Sequence, residues 1–162
     1  MVASLNHVVE ESLGLYRQAH ANVKFDFNSD QELPEFKFDP DQIKRVLVNL
    51  VDNAVSAVAK EQQPRVEIVT RYDKDIKTVR LIVADNGEGI PAADRSRIFE
   101  PYYSTKEGGT GLGLAIVKRI IEDHNGFIRA TQNEPQGGKM VIEMPVNEVG
   151  AWKPSDHEEE GN

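Results

Sequence analysis

Gly109-Thr110-Gly111-Leu112-Gly113-Leu114-Ala115-Ile116 is a glycine-rich stretch that runs straight into a helical pattern. Roughly twenty residues upstream, Asp85-Asn86-Gly87-Glu88-Gly89-Ile90 closes an apolar strand. Glycines at alternate positions let backbone N–H groups come close to an anion, and a helix starting there adds the positive end of its dipole. A carboxylate beside a glycine turn accepts hydrogen bonds from a base amine. Together the two loops describe a pocket for a purine nucleotide, phosphates at one end and base at the other.

The elements around these loops follow from periodicity. Ser4 to about His20 reads as a helix, with Leu5, Val8, Val9, Leu13 and Tyr16 near helical spacing. A short strand over Asn22 to Asn28 alternates Val23, Phe25 and Phe27, and Phe36-Lys37-Phe38 reads as another. Asp39-Pro40 opens the clearest helix: Asp39 caps it, Pro40 suits the first turn, and Gln42 completes a capping-box pattern. Its apolar face runs through Ile43, Val46, Leu47, Leu50, Val51, Ala54, Val55 and Val58. Strands follow at Arg65 to Tyr72 and Thr78 to Ala84. The second is apolar on both sides at Leu81-Ile82-Val83 and is expected at the centre of the sheet. A short helix is expected around Ala92 to Phe99, a longer one after Gly113, and last strands at Phe127 to Gln132 and Lys139 to Met144, turning at Gln136-Gly137-Gly138. This order fits helices on one face of a mixed sheet, a two-layer α/β sandwich.

At 162 residues the chain has the length of one domain, and its 39% hydrophobic and 28% charged residues are those of an ordinary soluble protein. A net charge of −8 argues against nucleic acid, which calls for clustered Lys and Arg. With no cysteine, disulfides, thiolate metal sites and cysteine nucleophiles are excluded. No apolar run approaches the ~20 residues that span a bilayer, and neither a signal peptide nor a basic membrane-surface helix is evident, so the expected location is cytoplasmic. The end of the chain, Asp156-His157-Glu158-Glu159-Glu160-Gly161-Asn162, reads as a solvated, mobile tail.

On the helix read over Asp41 to Lys60, Asn49, Asn53, Ser56 and Lys60 fall within a sector of about 60° beside the apolar face. Asparagine is a mediocre helix former, so two of them at i and i+4 on one stripe point to a site. Their side-chain oxygens suit a hard cation such as Mg²⁺ that shares a nucleotide's phosphates. Taken alone, Asp85-Asn86-Gly87 is also an ordinary turn, and the stripe an ordinary solvated flank.

Four elements in order carry a more specific resemblance. Asn49-Leu50-Val51-Asp52-Asn53-Ala54 resembles the N box of sensor histidine kinases, and Asp85-x-Gly87-x-Gly89 their G1 box. Ile98-Phe99-Glu100-Pro101-Tyr102-Tyr103 resembles the F box, and Gly109-x-Gly111-x-Gly113-Leu114 the G2 box. The resemblance covers roughly residues 1 to 146. It identifies the chain as a catalytic, ATP-binding domain of the family shared with gyrase, Hsp90 and MutL, with the Bergerat fold and a mixed five-stranded sheet. Within it, the Ser at 56, the short lid and Ile120-Ile121-Glu122-Asp123-His124-Asn125-Gly126 look like nitrogen-regulation sensors of the NtrY/NtrB kind.

The resemblance implies that Asn53 coordinates Mg²⁺ and that Asn49 supports the phosphate side. Asp85 accepts from the adenine amine, with Gly87, Gly89 and Ile90 around the base. Tyr102 to Thr110 form the ATP lid, and Gly109, Thr110, Gly111, Leu112, Gly113 and Leu114 cradle the phosphates. Lys106 reaches the γ-phosphate and, with Asn49, belongs to the catalytic set. Many family members carry a lysine where this chain has Ser56, so that contact falls to Lys60 or Lys106 or is missing. Gyrase-like and MutL-like relatives place a water-activating glutamate at the position of Asn49; an amide is no general base, so ATP hydrolysis is disfavoured and transfer to a nucleophilic histidine favoured.

His7, His20, His124 and His157 do not match the family's phosphoacceptor motif, and His124 reads as a helix-end residue capping carbonyls. The expected organisation is a helix over 1–21 leading from an absent dimerisation hairpin, the ATP-binding domain over 22–146, and the acidic tail over 147–162. The implied partners are that dimerisation and phosphoacceptor domain and a response regulator. The chain alone is expected to be a monomer without nucleic-acid or direct membrane contact. Two other readings stand beside the kinase: a nucleotide-gated interaction module without chemistry, and a gyrase-type ATPase.

Overall fold

The computed structural model describes residues 1–103 and 112–147. Its elements are β1 (Val2–Ala3), α1 (Leu5–Ala19), β2 (Lys24–Asn28), β3 (Phe36–Lys37), α2 (Pro40–Ala57), β4 (Arg65–Asp73), β5 (Thr78–Asp85), a 3₁₀ turn (Ala92–Asp94), α3 (Gly113–Asp123), β6 (Phe127–Gln132) and β7 (Gly138–Pro145). The main sheet has five strands in the order β2-β4-β5-β7-β6, with β2 parallel to β4 and the other pairs antiparallel. The mixed sheet and the two-layer architecture expected from the sequence are both present.

The three helices share one apolar core with the inner face of the sheet. Leu5, Val9 and Leu13 of α1, Ile43, Leu47 and Val51 of α2 and Val117 and Ile121 of α3 meet Ile68, Leu81 and Ile142 there. β5 is the middle strand, as expected, but only one of its faces is covered. Leu81 and Val83 point into the core, while Ile82 is half-buried on the outer face between Val69 and Val141. An antiparallel sheet tolerates one solvated face, so the continuous apolar run marked centrality and not burial on both sides.

The short strand expected at Phe36-Lys37-Phe38 forms over Phe36–Lys37 and pairs with β1 in a separate two-stranded ladder, where the buried rings of Phe36 and Phe38 pack 4.8 Å apart. Two local expectations are corrected. The helix expected over Ala92 to Phe99 is one 3₁₀ turn followed by further turns; Pro91 provides no side-chain cap, and so short a segment gains too few bonds to offset nucleation. Helix α2 ends at Ala57, so Lys60 is off the helical stripe.

Asp39 does cap α2, accepting from the N–H groups of Asp41 and Gln42. The reciprocal half of the expected capping box is taken by another residue. The Asp39 N–H donates to His124 Nε2 at 3.0 Å, and His124 Nδ1 meets Ile120 O at 2.8 Å. This neutral imidazole thus ties the end of α3 to the start of α2.

Thr70, buried within β4, anchors α1. Its hydroxyl donates to Asn6 Oδ1 at 2.7 Å and accepts from the Asp30 N–H, and Asn6 Nδ2 donates to Asp30 O. The Asp30 carboxylate in turn accepts from the N–H groups of Tyr72 and Glu32, which hold it below the usual carboxylate range. Arg129 and then Arg80 do the same for Glu143 on the outer face. Depressed carboxylates contribute stability above the unfolded-state value of about 4, and that contribution is lost as pH falls through their lower folded values. Urea denaturation followed against pH is expected to show stability declining below about pH 4. Asp30→Asn should be less stable at neutral pH and lose less on acidification.

Candidate nucleotide-binding site

One face of α2, the end of β5, the start of β7 and the first turn of α3 surround a cavity of about 470 Å³. That is within the range of small-molecule sites. Asn49 and Asn53 reach it from α2, Asp85, Gly89 and Ile90 from the end of β5, and Gly113 and Leu114 from α3. Seven residues singled out in the sequence therefore converge from three separate segments. They do so because the apolar face of α2 packs on β4 and β5, which turns its flanking polar stripe toward the end of β5.

Asp85 is the most constrained polar group of the site. Its Oδ1 accepts from Gly87 N–H at 2.9 Å and from Gly138 N–H at 3.2 Å, which fixes the carboxylate plane at the end of the central strand. Asn49 Nδ2 donates back to Arg45 O at 3.0 Å, so its Oδ1 lies toward α3, where a Cβ on Gly113 would be only 2.8 Å away. Asp52 lines the same cavity and accepts a 2.7 Å hydrogen bond from Tyr16 of α1. Burial, followed by this carboxylate, pushes the Tyr16 hydroxyl far above its ordinary pKa. The wall is apolar, built from Leu50, Val83, Ile98 and Met140.

Several expected residues stand elsewhere. Gly87 packs under the loop and does not line the cavity; a Cβ there would fall 2.2 Å from Ala57 O, so only glycine lets the loop cross the end of α2. Tyr102, at φ +65°, is 79% exposed and points away. Its neighbour Tyr103 lines the cavity, its hydroxyl bonded to Asp94 and the Arg97 guanidinium 4.8 Å from its ring centre. Leu112 precedes α3 without lining the cavity. Lys106, Gly109, Thr110 and Gly111 lie outside the described residues, as does 148–162. Sequence reasoning missed the contribution of β7, from Gly138, Lys139 and Met140; the paired glycines of Gly137-Gly138 were its one visible signal.

Carboxylates outnumber cations in this lining: Asp52, Asp85 and Glu88 against Lys139. Among the described residues no cluster of three or more His, Asp or Glu could hold a metal ion by itself. The oxygen donors that α2 does present, amide carbonyls and a carboxylate, are the kind a hard cation shares with phosphates and water. No helix among the described residues is long and apolar enough to cross a membrane.

Comparison with known proteins shows the family of the chain. Residues 38–148 match the family of histidine kinase-, DNA gyrase B- and HSP90-like ATPases. Sensor histidine kinase ZraS of Klebsiella oxytoca is 39% identical over 145 residues, covering 88% of this chain and 31% of ZraS. Sensory histidine kinase/phosphatase NtrB of the same organism is 40% identical over 132 residues, 77% of this chain and 38% of NtrB. The chain thus spans about a third of the length of these curated relatives. The solved catalytic domain of histidine kinase ThkA superposes with a TM-score of 0.81 at 33% identity, over 91% of this chain and 95% of that domain. Another ThkA structure, with a TM-score of 0.76 at 30% identity over 91% of this chain and 42% of that one, is in complex with the response regulator protein TrrA. This chain belongs to the histidine kinase-, gyrase B- and HSP90-like ATPase family and is an ATP-binding catalytic domain of the sensor histidine kinase type.

Proposed function

We propose that the chain binds ATP with Mg²⁺ in this cavity and donates the γ-phosphoryl group to a histidine on a separate helical hairpin, for onward transfer to a response regulator. The observation that carries this reading is the convergence of Asn49, Asn53, Asp85 and the start of α3 on one cavity. Asp85 accepts from the adenine amine while Ile90 and Met140 pack against the ring. Gly113 and Leu114, with Gly109 to Leu112 ahead of them, present backbone N–H groups to the phosphates at a helix N-terminus.

Bound Mg²⁺ supplies charge neutralisation on the phosphates, which this acidic lining calls for. Asn53 offers its side-chain oxygen to the cation, and Asn49 orients the phosphate end. Lys106 is assigned to the γ-phosphate. In the transfer itself an imidazole nitrogen forms a bond to phosphorus, the bond from phosphorus to the ADP oxygen breaks, and the imidazole proton leaves to solvent. The protein's contribution is positioning and electrostatic stabilisation, and Asn49, an amide, cannot deprotonate a competing water.

The test mixes the chain with a separately produced helical hairpin bearing the acceptor histidine and γ-labelled ATP. Label is expected on the hairpin, stable in base and labile in acid, and absent when Asn53 is alanine. Binding of ATP without transfer would replace this reading with a nucleotide-gated module. Steady phosphate release by the chain alone would replace it with an ATPase.

A further inference from the structure

The turn between β6 and β7 closes onto the Asp85 loop through several contacts that the phosphate and metal chemistry does not use. Asn133 Nδ2 donates to Asp85 O at 2.8 Å, and Gln136 Nε2 donates to Asn86 O at 3.0 Å. Gly138 N–H reaches Asp85 Oδ1 at 3.2 Å, while Asn133 N–H closes the turn on Gly137 O at 2.9 Å. The fit is tight: a Cβ on Gly137 would lie 1.8 Å from Asp85 O.

Asp85 is the last residue of β5, and the ladder between β5 and β7 ends one residue earlier, at Ala84 and Lys139. The Asp85 carbonyl therefore stands just past the strand pairing, and the Asn133 side chain supplies a donor there. Asn133 in the turn and Gly138 at the start of β7 thus grip the main chain and the side chain of one residue.

We propose that Asn133 is a positioning residue for purine selection, holding the Asp85 main chain so that its carboxylate meets an amine donor and rejects a carbonyl. This rests on the reading of Asp85 as the acceptor for the adenine amine. Guanine presents an oxygen where adenine presents that amine, so a fixed carboxylate discriminates by leaving two acceptors face to face. A loosened carboxylate turns aside and discriminates less.

The test measures dissociation constants for ATP and for GTP, each with Mg²⁺, by calorimetry on the full chain. Asn133→Ala is expected to lower the ATP-over-GTP preference about tenfold, the scale of one hydrogen bond lost near a constrained group. It does so mainly by weakening ATP. Asn133→Asp, nearly isosteric but without the donor, should do the same, and reads the ratio if the alanine variant fails to fold. A folded variant with a lower melting temperature and an unchanged ratio overturns the proposal, because Asn133 is then merely structural. Asp85→Ala separates the two levels. If it erases the preference while both Asn133 variants keep it, base recognition stands and the role of Asn133 falls. If it too leaves the preference intact, Asp85 does not read the base and the inference falls with that reading.

Discussion

Asn53→Ala is expected to remove the Mg²⁺ dependence of ATP binding and to weaken binding in the presence of Mg²⁺ by on the order of 100-fold. Loss of even an outer-shell partner typically costs a metal site about 10- to 100-fold in affinity, and Asn53 is assigned to the cation directly. The lining makes the effect large: with Asp52, Asp85 and Glu88 around the cavity and Lys139 as the one cationic residue of its described lining, a triphosphate needs its cation to enter. Calorimetric titration with and without Mg²⁺ reads it. The fold should be unaffected, since Asn53 is half-buried on the polar flank of α2 while the core face runs through Leu50 and Ala54. An Asn53→Ala chain that still responds to Mg²⁺ like the parent would remove Asn53 from the metal site.

Gly137→Ala is expected to destabilise the fold by on the order of 3 kcal/mol and to abolish nucleotide binding in whatever fraction remains folded. Two effects act together. Gly137 sits at φ +111°, where a side chain is strained, and its Cβ would overlap the Asp85 carbonyl oxygen at 1.8 Å. Backbone opposes backbone here, so relief requires the β6–β7 turn and the Asp85 loop to part. Gly14 provides the internal control. It lies within α1 with nothing inside 4 Å of its would-be Cβ, so Gly14→Ala should stabilise by about 0.5–1 kcal/mol. Thermal denaturation of the two alanine variants side by side should move the melting temperature in opposite directions.

The layers and the site were legible in the sequence to different depths. Helices α1 and α2 and the strand β4 declare themselves by period, because each buries one face against a common core and leaves the other wet, whereas β5 declares itself by the continuous apolar run Leu81-Ile82-Val83. The acidic and glycine-rich loops declare themselves by residue type, since close approach to an anion or a base admits few alternatives. Contacts between segments distant in sequence left no such trace. His124 displacing Gln42 from the Asp39 N–H joins residues 85 positions apart. The Asn133 contact to Asp85 spans 48. Nothing in either local sequence encodes its partner. The exchange of Tyr102 for Tyr103 has a local cause: Tyr102 takes a positive φ in a turn, and its side chain stands in solvent.

The most direct measurement is an amide-resolved NMR titration of the isotopically labelled chain with a non-hydrolysable ATP analogue and Mg²⁺. Saturable shifts are expected at Asn49, Asn53, Gly89, Gly113 and Gly138, which line the cavity from four segments, with the outer-face residues Arg71, Arg80 and Arg129 unmoved. No saturable shifts, or shifts confined to that outer face, would contradict the assignment of this cavity as the ATP site.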